Sequence, residues 1–292
     1  LTNLQNIDFS NFGYNKNIFF CKIFNKKFKS EFNENLNNMK INISDIGFQS
    51  DINFNKIKEN SVRGNAKIKL LNTNLKFDFL YSKEKFEIFN SFFRSKNLSF
   101  KNKSLITLDP YFETEANFVI DDINIKLLKK LNFEKFLSFK NIIKKVNSKN
   151  KISFKSKKFS QTLINKLNLR IDLSYGRLNL NKLLSIEDSN FQCSGVINLL
   201  EEFPLFDFNC KISTLDKKKF LKIFNIKNKN KDEIFDLDVN GSINILSNKI
   251  SFKNIKTNNY QASKEDLKYF KNMFENILLK DNFINIFDLK KI

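Results

Sequence analysis

A strict alternation of apolar and polar residues constrains the fold of this chain more than any other feature. In residues 167–175 every second residue is apolar, and the residues between are Asn, Arg, Asp or Ser. Residues 74–79 and 206–212 alternate in the same way. Because successive side chains of a β-strand point to opposite faces, this period predicts antiparallel strands with one apolar and one solvated face.

Three glycines lie within such segments and keep the apolar parity. Gly64, Gly195 and Gly241 each occupy an apolar position and are followed by two more apolar residues of the same parity. Asn240-Gly241 is also a common hairpin turn, but a two-residue turn there would direct the following apolar residues outward. We therefore predict that Gly241 lies inside one long strand, where glycine allows a bend or a bulge.

A strand-to-helix unit recurs along the chain, although its spacing is irregular. Residues 116–131 align with residues 208–223, each with a strand, an acidic or hydroxyl-bearing loop and a basic amphipathic helix. The loop residues suit a helix N-cap. A further helix is predicted after Ser263, with Asp266 three residues later as in a capping box.

The pattern divides the chain into three parts. Residues 1–40 are rich in Asn and Phe with weak periodicity, and the pattern assigns them no secondary structure. Residues 41–147 form a β-repeat unit that ends in a basic amphipathic helix from about residue 124 to 146. Residues 148–292 form a second β-repeat unit with helices near 215–225 and 264–279.

The net charge of +20 arises from 51 Lys and Arg against 31 Asp and Glu, and it invites a nucleic-acid interpretation. The lysines are spread evenly, however, and no basic block is present, so we interpret them as solvated strand faces. No nucleic-acid partner is expected. An anionic membrane surface would still attract such a chain.

The three cysteines show no C-x-x-C spacing, and the chain has no histidine, which excludes a zinc site of the usual kinds. Cys193 and Cys210 could lie on neighbouring strands and pair. Both occupy apolar positions, however, and we interpret them as buried small hydrophobic residues.

No signal peptide and no apolar run long enough to cross a bilayer occurs in the sequence. Either the protein is cytosolic, or these residues are an internal fragment whose targeting segment lies upstream. The start at Leu1 favours the fragment.

Nothing in the sequence indicates catalysis or a cofactor. The absence of histidine excludes Ser-His-Asp and Cys-His systems, and no glycine-rich phosphate loop is present. The carboxylate pairs at 121–122, 201–202 and 232–233 lie at strand ends or turns, where solvated loop charge is the better interpretation. We expect a non-catalytic protein without cofactor or metal.

The predicted fold is mainly β with a few short helices. An apolar strand face needs a cover, and these helices are few. We predict a long, curved antiparallel sheet that forms an open apolar groove built from degenerate repeats. The alternative is a β-sandwich, in which a second sheet covers the first. An exposed apolar surface of this size requires a partner such as lipid.

The chain resembles the AsmA-like family of bacterial envelope proteins, over about residues 40–292. The likeness rests on the strands around Gly64, Gly195 and Gly241, on Leu108-Asp109-Pro110-Tyr111-Phe112 before a strand, and on the units 118–131 and 210–224. The resemblance implies a periplasmic β-groove, an inner-membrane anchor outside this chain, and phospholipid transport toward the outer membrane.

The groove candidates follow from strand parity, whereas catalytic and metal residues are not expected. The positions that the resemblance carries over are Phe77, Phe79, Phe118, Ile120, Leu169, Ile171, Leu173, Phe206 and Phe208. Alternation alone leaves open whether they face lipid or a packed core. The first hypothesis is therefore a module that binds or conducts phospholipid acyl chains. A structural or adhesive β-module without lipid is the second, and a nucleic-acid binder is the third.

Overall fold

The computed structural model describes most of the chain as β-structure. The described residues are 4–11, 16–23, 26–123, 140–155, 164–186, 188–218 and 234–276. They form seventeen strands and two α-helices, in two compact units, Leu1–Ile123 and Asn124–Ile292.

The described part of the first unit is an antiparallel meander in which each strand pairs with the next along the chain. A short 3-10 helix, Ser44–Ile46, connects the fourth strand to the fifth. The strands are β1 (Leu4–Asn11), β2 (Lys16–Ile23), β3 (Lys26–Asn33), β4 (Asn38–Ile43), β5 (Phe48–Lys58), β6 (Ser61–Leu70), β7 (Thr73–Ser82), β8 (Lys85–Arg94), β9 (Leu98–Thr107) and β10 (Glu113–Ile123).

The second unit repeats this arrangement and adds helices at its apolar side. Its consecutive strands also pair antiparallel. They are β11 (Asn147–Lys155), β12 (Lys166–Ser174), β13 (Arg177–Ile186), β14 (Ser189–Asn198), β15 (Leu205–Thr214), β16 (Phe235–Asn244) and β17 (Lys249–Thr257). The helices are α1 (Lys140–Ile143) and α2 (Lys264–Phe274).

The mainly β fold with an open, curved antiparallel sheet is confirmed, and the β-sandwich alternative is wrong. The predicted glycine geometry also occurs. Gly241 lies inside β16, and the register between β16 and β17 shifts at Asn240/Gly241, which marks a β-bulge. A strand therefore continues through the Asn-Gly pair, because the apolar face continues through it.

The first 40 residues contain strands that the sequence pattern did not reveal. The apolar face of β2 and β3 includes Ser30 opposite Phe19, while Phe20 lies on the other face and is 38% exposed. A polar residue on the apolar face and a phenylalanine on the polar face obscure the alternation. Strand pairing with the regular neighbours β4 and β5 compensates for this weak local signal.

The compact units divide at Ile123/Asn124, whereas the sequence analysis set its boundary after residue 147. Helix α1 belongs to the second unit because Ile143 packs with Ile197 and Leu199 in a buried cluster. Most of the helix predicted over 124–146 lies outside the described residues, as does most of the helix predicted near 215–225. The helix predicted from 264 is α2, and residues 277–279 of that prediction lie outside the described part.

Candidate functional site

From β5 to β10 the first unit presents one face on which most side chains are apolar, although Ser50, Asn102 and Ser104 also lie on it. Residues directly opposite one another in an antiparallel pair share a face. Phe54, Gly64 and Phe79 are opposite in turn on β5, β6 and β7, and Phe118 on β10 lies on the same face. The candidates Phe77, Phe79, Phe118 and Ile120 therefore lie together on this face.

Aromatic rings from β8 and β9, which the sequence analysis did not select, contact these candidates in two separate groups. Phe79 stacks on Phe86 with ring centroids 5.5 Å apart, and Phe93 stacks on Phe100 at 4.6 Å. Phe100 then meets Phe118 edge to face at 5.5 Å. The alternation of the sequence does not reveal these ring contacts, because the register on β8 shifts between its two ends.

The second unit has an equivalent apolar face. Leu169 and Ile171 on β12 lie on it, and across β13 and β14 it reaches Phe206 and Phe208 on β15. Leu173 lies on the same face at the end of β12. All five side chains are half-buried. The structure thus places the five candidates of this unit on one side of one sheet.

Two parts of this face are covered by the unit's own helices. At one, Leu173 and Phe206 pack against the cluster that contains Ile143 of α1. At the other, Phe274 of α2 meets Phe252 edge to face, with ring centroids 5.7 Å apart. Leu169 and Ile171 belong to neither described core cluster. The part of the face around β12 thus lies outside the two described core clusters.

Phenylalanine rings lie over the three strand glycines. The Phe79 ring covers Gly64, and the rings of Phe206 and Phe208 cover Gly195 and Gly241. A Cβ at any of these glycines would meet the ring inside normal van der Waals contact. Three of the candidate residues thus have a structural role, and Phe79 is only 8% exposed.

Cys193 and Cys210 form a disulfide, so the interpretation of both as unpaired hydrophobic residues is wrong. They lie directly opposite each other on β14 and β15, with Cα atoms 4.1 Å apart. Alternation assigned both to the apolar face correctly but could not determine which residues face each other. Cys21 is a buried free thiol.

One lysine lies among the apolar side chains of the second unit. Lys182 occupies the apolar parity of β13, between Leu180 and Leu184, and it pairs in register with Leu169 and Cys193. It is half-buried, and desolvation by burial lowers the pKa of its ammonium group. The sequence analysis missed Lys182, although the alternation of β13 places it on this face.

The opposite face of the first unit is polar and rich in lysine. A shallow concavity of about 400 Å³ lies over β3 to β7 and is lined by charged and amide side chains. Lys67 and Lys76 lie directly opposite each other there, next to Lys69. Asp51 lies directly opposite both Lys40 and Lys67, but lysines outnumber carboxylates in this lining, so its net charge is positive. Lys29 and Glu31 form an ion pair at its border.

The described residues contain no group of three or more His, Cys, Asp or Glu placed to hold a metal ion. Among the helices in the same ranges, none combines the length and the apolar character needed to cross a bilayer.

Fold and site together define a class of protein, an open antiparallel β-sheet with one mainly apolar and one polar, charged face. No protein-family model matches the chain, and neither a curated protein nor a solved structure matches it.

Proposed function

We propose that this chain is a non-catalytic envelope module that binds or conducts phospholipid, with acyl chains lying on the apolar faces of its sheets. One observation carries the proposal. Strand after strand directs its apolar side chains to the same face, and Leu169 and Ile171 on β12 are half-buried and belong to neither described core cluster. An extended apolar surface of this kind needs an apolar partner.

Acyl chains supply enough free energy for such binding without any specific polar contact. Each buried methylene contributes about 0.8 kcal/mol, so partial burial of one chain contributes several kcal/mol. Antiparallel strands of about ten residues are roughly 30 Å long. That length is comparable to the hydrocarbon thickness of a bilayer.

The location we propose is the periplasm, with attachment to the inner membrane through a segment outside these residues, as in the AsmA-like family. The disulfide between Cys193 and Cys210 supports an oxidising compartment, since reducing conditions in the cytosol disfavour disulfides. The lysines on the polar face would favour an anionic membrane surface nearby. The role of such a module is to support outer-membrane lipid homeostasis.

The test is native mass spectrometry of the purified chain, with lipid extraction from the same sample. The informative variant is Leu169→Gln with Ile171→Gln, because these residues lie on the apolar face outside both described core clusters. The matched control is Leu183→Gln. Leu183 lies in the same sheet, opposite Asn168 and Gln192 on the polar face, and is 52% exposed.

We expect phospholipid at a defined stoichiometry on the wild-type chain and on Leu183→Gln, and its loss from the double variant. Substitution of Phe79 or Phe208 would be less informative, since each covers a glycine and would affect folding. A folded wild-type monomer that is reproducibly free of lipid would contradict the proposal and favour a structural or adhesive β-module.

A further inference from the structure

The mainly apolar face of the first unit borders a cavity of about 650 Å³ at one end of the sheet. Phe54, Val62 and Tyr81 line this cavity. All three lie on that face, since Val62 is directly opposite Tyr81 and Phe54 is directly opposite Gly64. Tyr81 is 41% exposed. The cavity therefore adjoins the apolar surface that we propose for acyl chains, and its size is typical of small-ligand sites.

The turn between β3 and β4 lines the same cavity with an exposed leucine. Leu36 is 55% exposed and has a φ of 52°, in the left-handed backbone region. Leucine rarely adopts this conformation, and such positions cluster at ligand sites. The Asn33 side-chain oxygen accepts hydrogen bonds from the backbone N–H groups of Asn37 and Asn38, at 2.9 and 3.0 Å. The Phe54 N–H donates to the Asn37 carbonyl at 2.8 Å, so the turn is joined to β5.

Two lysines and one carboxylate also line the cavity. Lys56 has the apolar parity of β5, directly opposite Val62, and Lys83 lies in the turn between β7 and β8. Glu59, between β5 and β6, supplies the carboxylate. All three side chains are exposed, and none forms an ion pair with another described residue. The lining thus carries a net positive charge beside an apolar surface.

We infer that this cavity binds the headgroup of an anionic phospholipid, with Lys56 and Lys83 contacting the phosphate and the acyl chains lying on the adjoining apolar face. The inference rests on the proposed function and adds a headgroup site to it. Charge complementarity carries it, because a phospholipid joins an anion to apolar chains and this cavity joins two ammonium groups to an apolar surface. The aliphatic stems of the lysines extend that surface.

The experiment measures binding of dihexanoyl phosphatidylglycerol, below its micelle concentration, by isothermal titration calorimetry at two salt concentrations. The informative variant is Lys56→Met with Lys83→Met, and because both lysines are exposed their replacement should leave the fold unchanged. Glu59→Gln removes the carboxylate of the lining. The matched control is Lys69→Met, since Lys69 is exposed on the polar face of the same sheet, opposite Gln49 and Asn74.

We expect the wild-type chain and Lys69→Met to bind the lipid equally well, with an affinity that falls as salt rises. The double variant should bind about tenfold more weakly, the scale of two exposed ion pairs, and should lose most of the salt dependence. Glu59→Gln should bind more tightly, because a carboxylate that repels the phosphate is gone. Unchanged affinity in the double variant, or an equal loss in Lys69→Met, would overturn the headgroup site and leave the proposed function intact. Failure of the wild-type chain to bind the lipid would overturn both.

Two further ligands need no variant and separate a lipid site from a site for a free phosphate ester. Glycerophosphoglycerol has the headgroup without acyl chains and should bind about a hundredfold more weakly than the lipid. Diheptanoyl phosphatidylglycerol adds one methylene to each chain and should bind about tenfold more tightly than the dihexanoyl lipid. Equal affinities for glycerophosphoglycerol and the lipid would assign the cavity to a free phosphate ester and overturn the inference.

Discussion

Glycine and phenylalanine act as pairs on the apolar faces of this protein. Gly195 is buried on β14, and the Phe206 ring lies where a Cβ would otherwise be. The ring reaches it diagonally, because the residue directly opposite Gly195 is Phe208. Because glycine has no side chain, the Phe206 ring can lie close to the strand. The ring then supplies the apolar contact that a side chain at Gly195 would otherwise make. Glycine is required here for close approach and not for an unusual backbone angle.

Gly195→Ala should therefore destabilise the protein by about 1–3 kcal/mol, since the new methyl group would force Phe206 out of place. Urea denaturation followed by circular dichroism measures the change. Ser194→Ala is the control, because Ser194 is exposed on the other face of the same strand and should change stability by less than about 0.5 kcal/mol. Equal stability of Gly195→Ala and wild type would show that the ring can move without cost.

Helix α2 shows how one element is held at both ends. At its start, Ser263 Oγ accepts a hydrogen bond from the Asp266 backbone N–H at 3.2 Å, and the Asp266 carboxylate accepts one from the Ser263 backbone N–H at 2.8 Å. Tyr260 also donates its hydroxyl hydrogen to Asp266. Just beyond its last turn, the Glu275 carboxylate accepts a hydrogen bond from the Ile250 backbone N–H at 3.0 Å. Capping and this contact hold the helix beside β17.

The capping box makes the start of α2 sensitive to acid. The hydrogen bonds from Tyr260 and then from Ser263 lower the pKa of Asp266 below its ordinary value of 3.8. A carboxyl group with a lowered folded-state pKa stabilises the helix above its unfolded-state pKa, and the contribution is lost as the pH falls through the folded-state pKa. We expect the first turn to fray below about pH 4.

Cα chemical shifts of residues 264–274, recorded by NMR between pH 6 and pH 2.5, would detect this fraying. Asp266→Asn is the comparison, since it cannot ionise and its first turn should not change across the same range. A transition of equal size in Asp266→Asn would assign the acid sensitivity to another group.

For the whole molecule, the disulfide determines the conditions under which the fold is most stable. Cys193 and Cys210 close a loop with a sequence separation of 17 and connect neighbouring strands on the apolar face. A cross-link of this span stabilises a folded chain by about 3 kcal/mol, chiefly by restricting the unfolded state. The protein should therefore be more stable in an oxidising environment than in a reducing one.

Dithiothreitol should lower the free energy of unfolding of the wild-type chain by about 3 kcal/mol, as measured by urea denaturation. The variant Cys193→Ser with Cys210→Ser should be less stable and insensitive to dithiothreitol, whereas Cys21→Ala should stay sensitive because Cys21 is the free cysteine. Thiol titration of the denatured, unreduced chain should detect one free thiol. Detection of all three thiols would contradict the disulfide.

The alternation of the sequence alone determined the class of fold and the face on which most side chains lie. Side-chain direction is a property of the local strand backbone, so Leu169, Ile171 and Phe208 could be assigned to the apolar face without knowledge of their neighbours. The same reasoning placed Gly241 inside a strand, because only that arrangement keeps the apolar residues after it on one face.

Only the tertiary structure decided which residues meet. Cross-strand register depends on loop lengths, on bulges such as the one at Gly241 and on packing between distant residues. The local alternation of apolar and polar residues determines none of these. Register brought Cys193 opposite Cys210, aligned Phe93 with Phe100 and set Lys182 beside Leu169. The apolar face is thus a local property of the sequence, whereas the disulfide arises from non-local pairing.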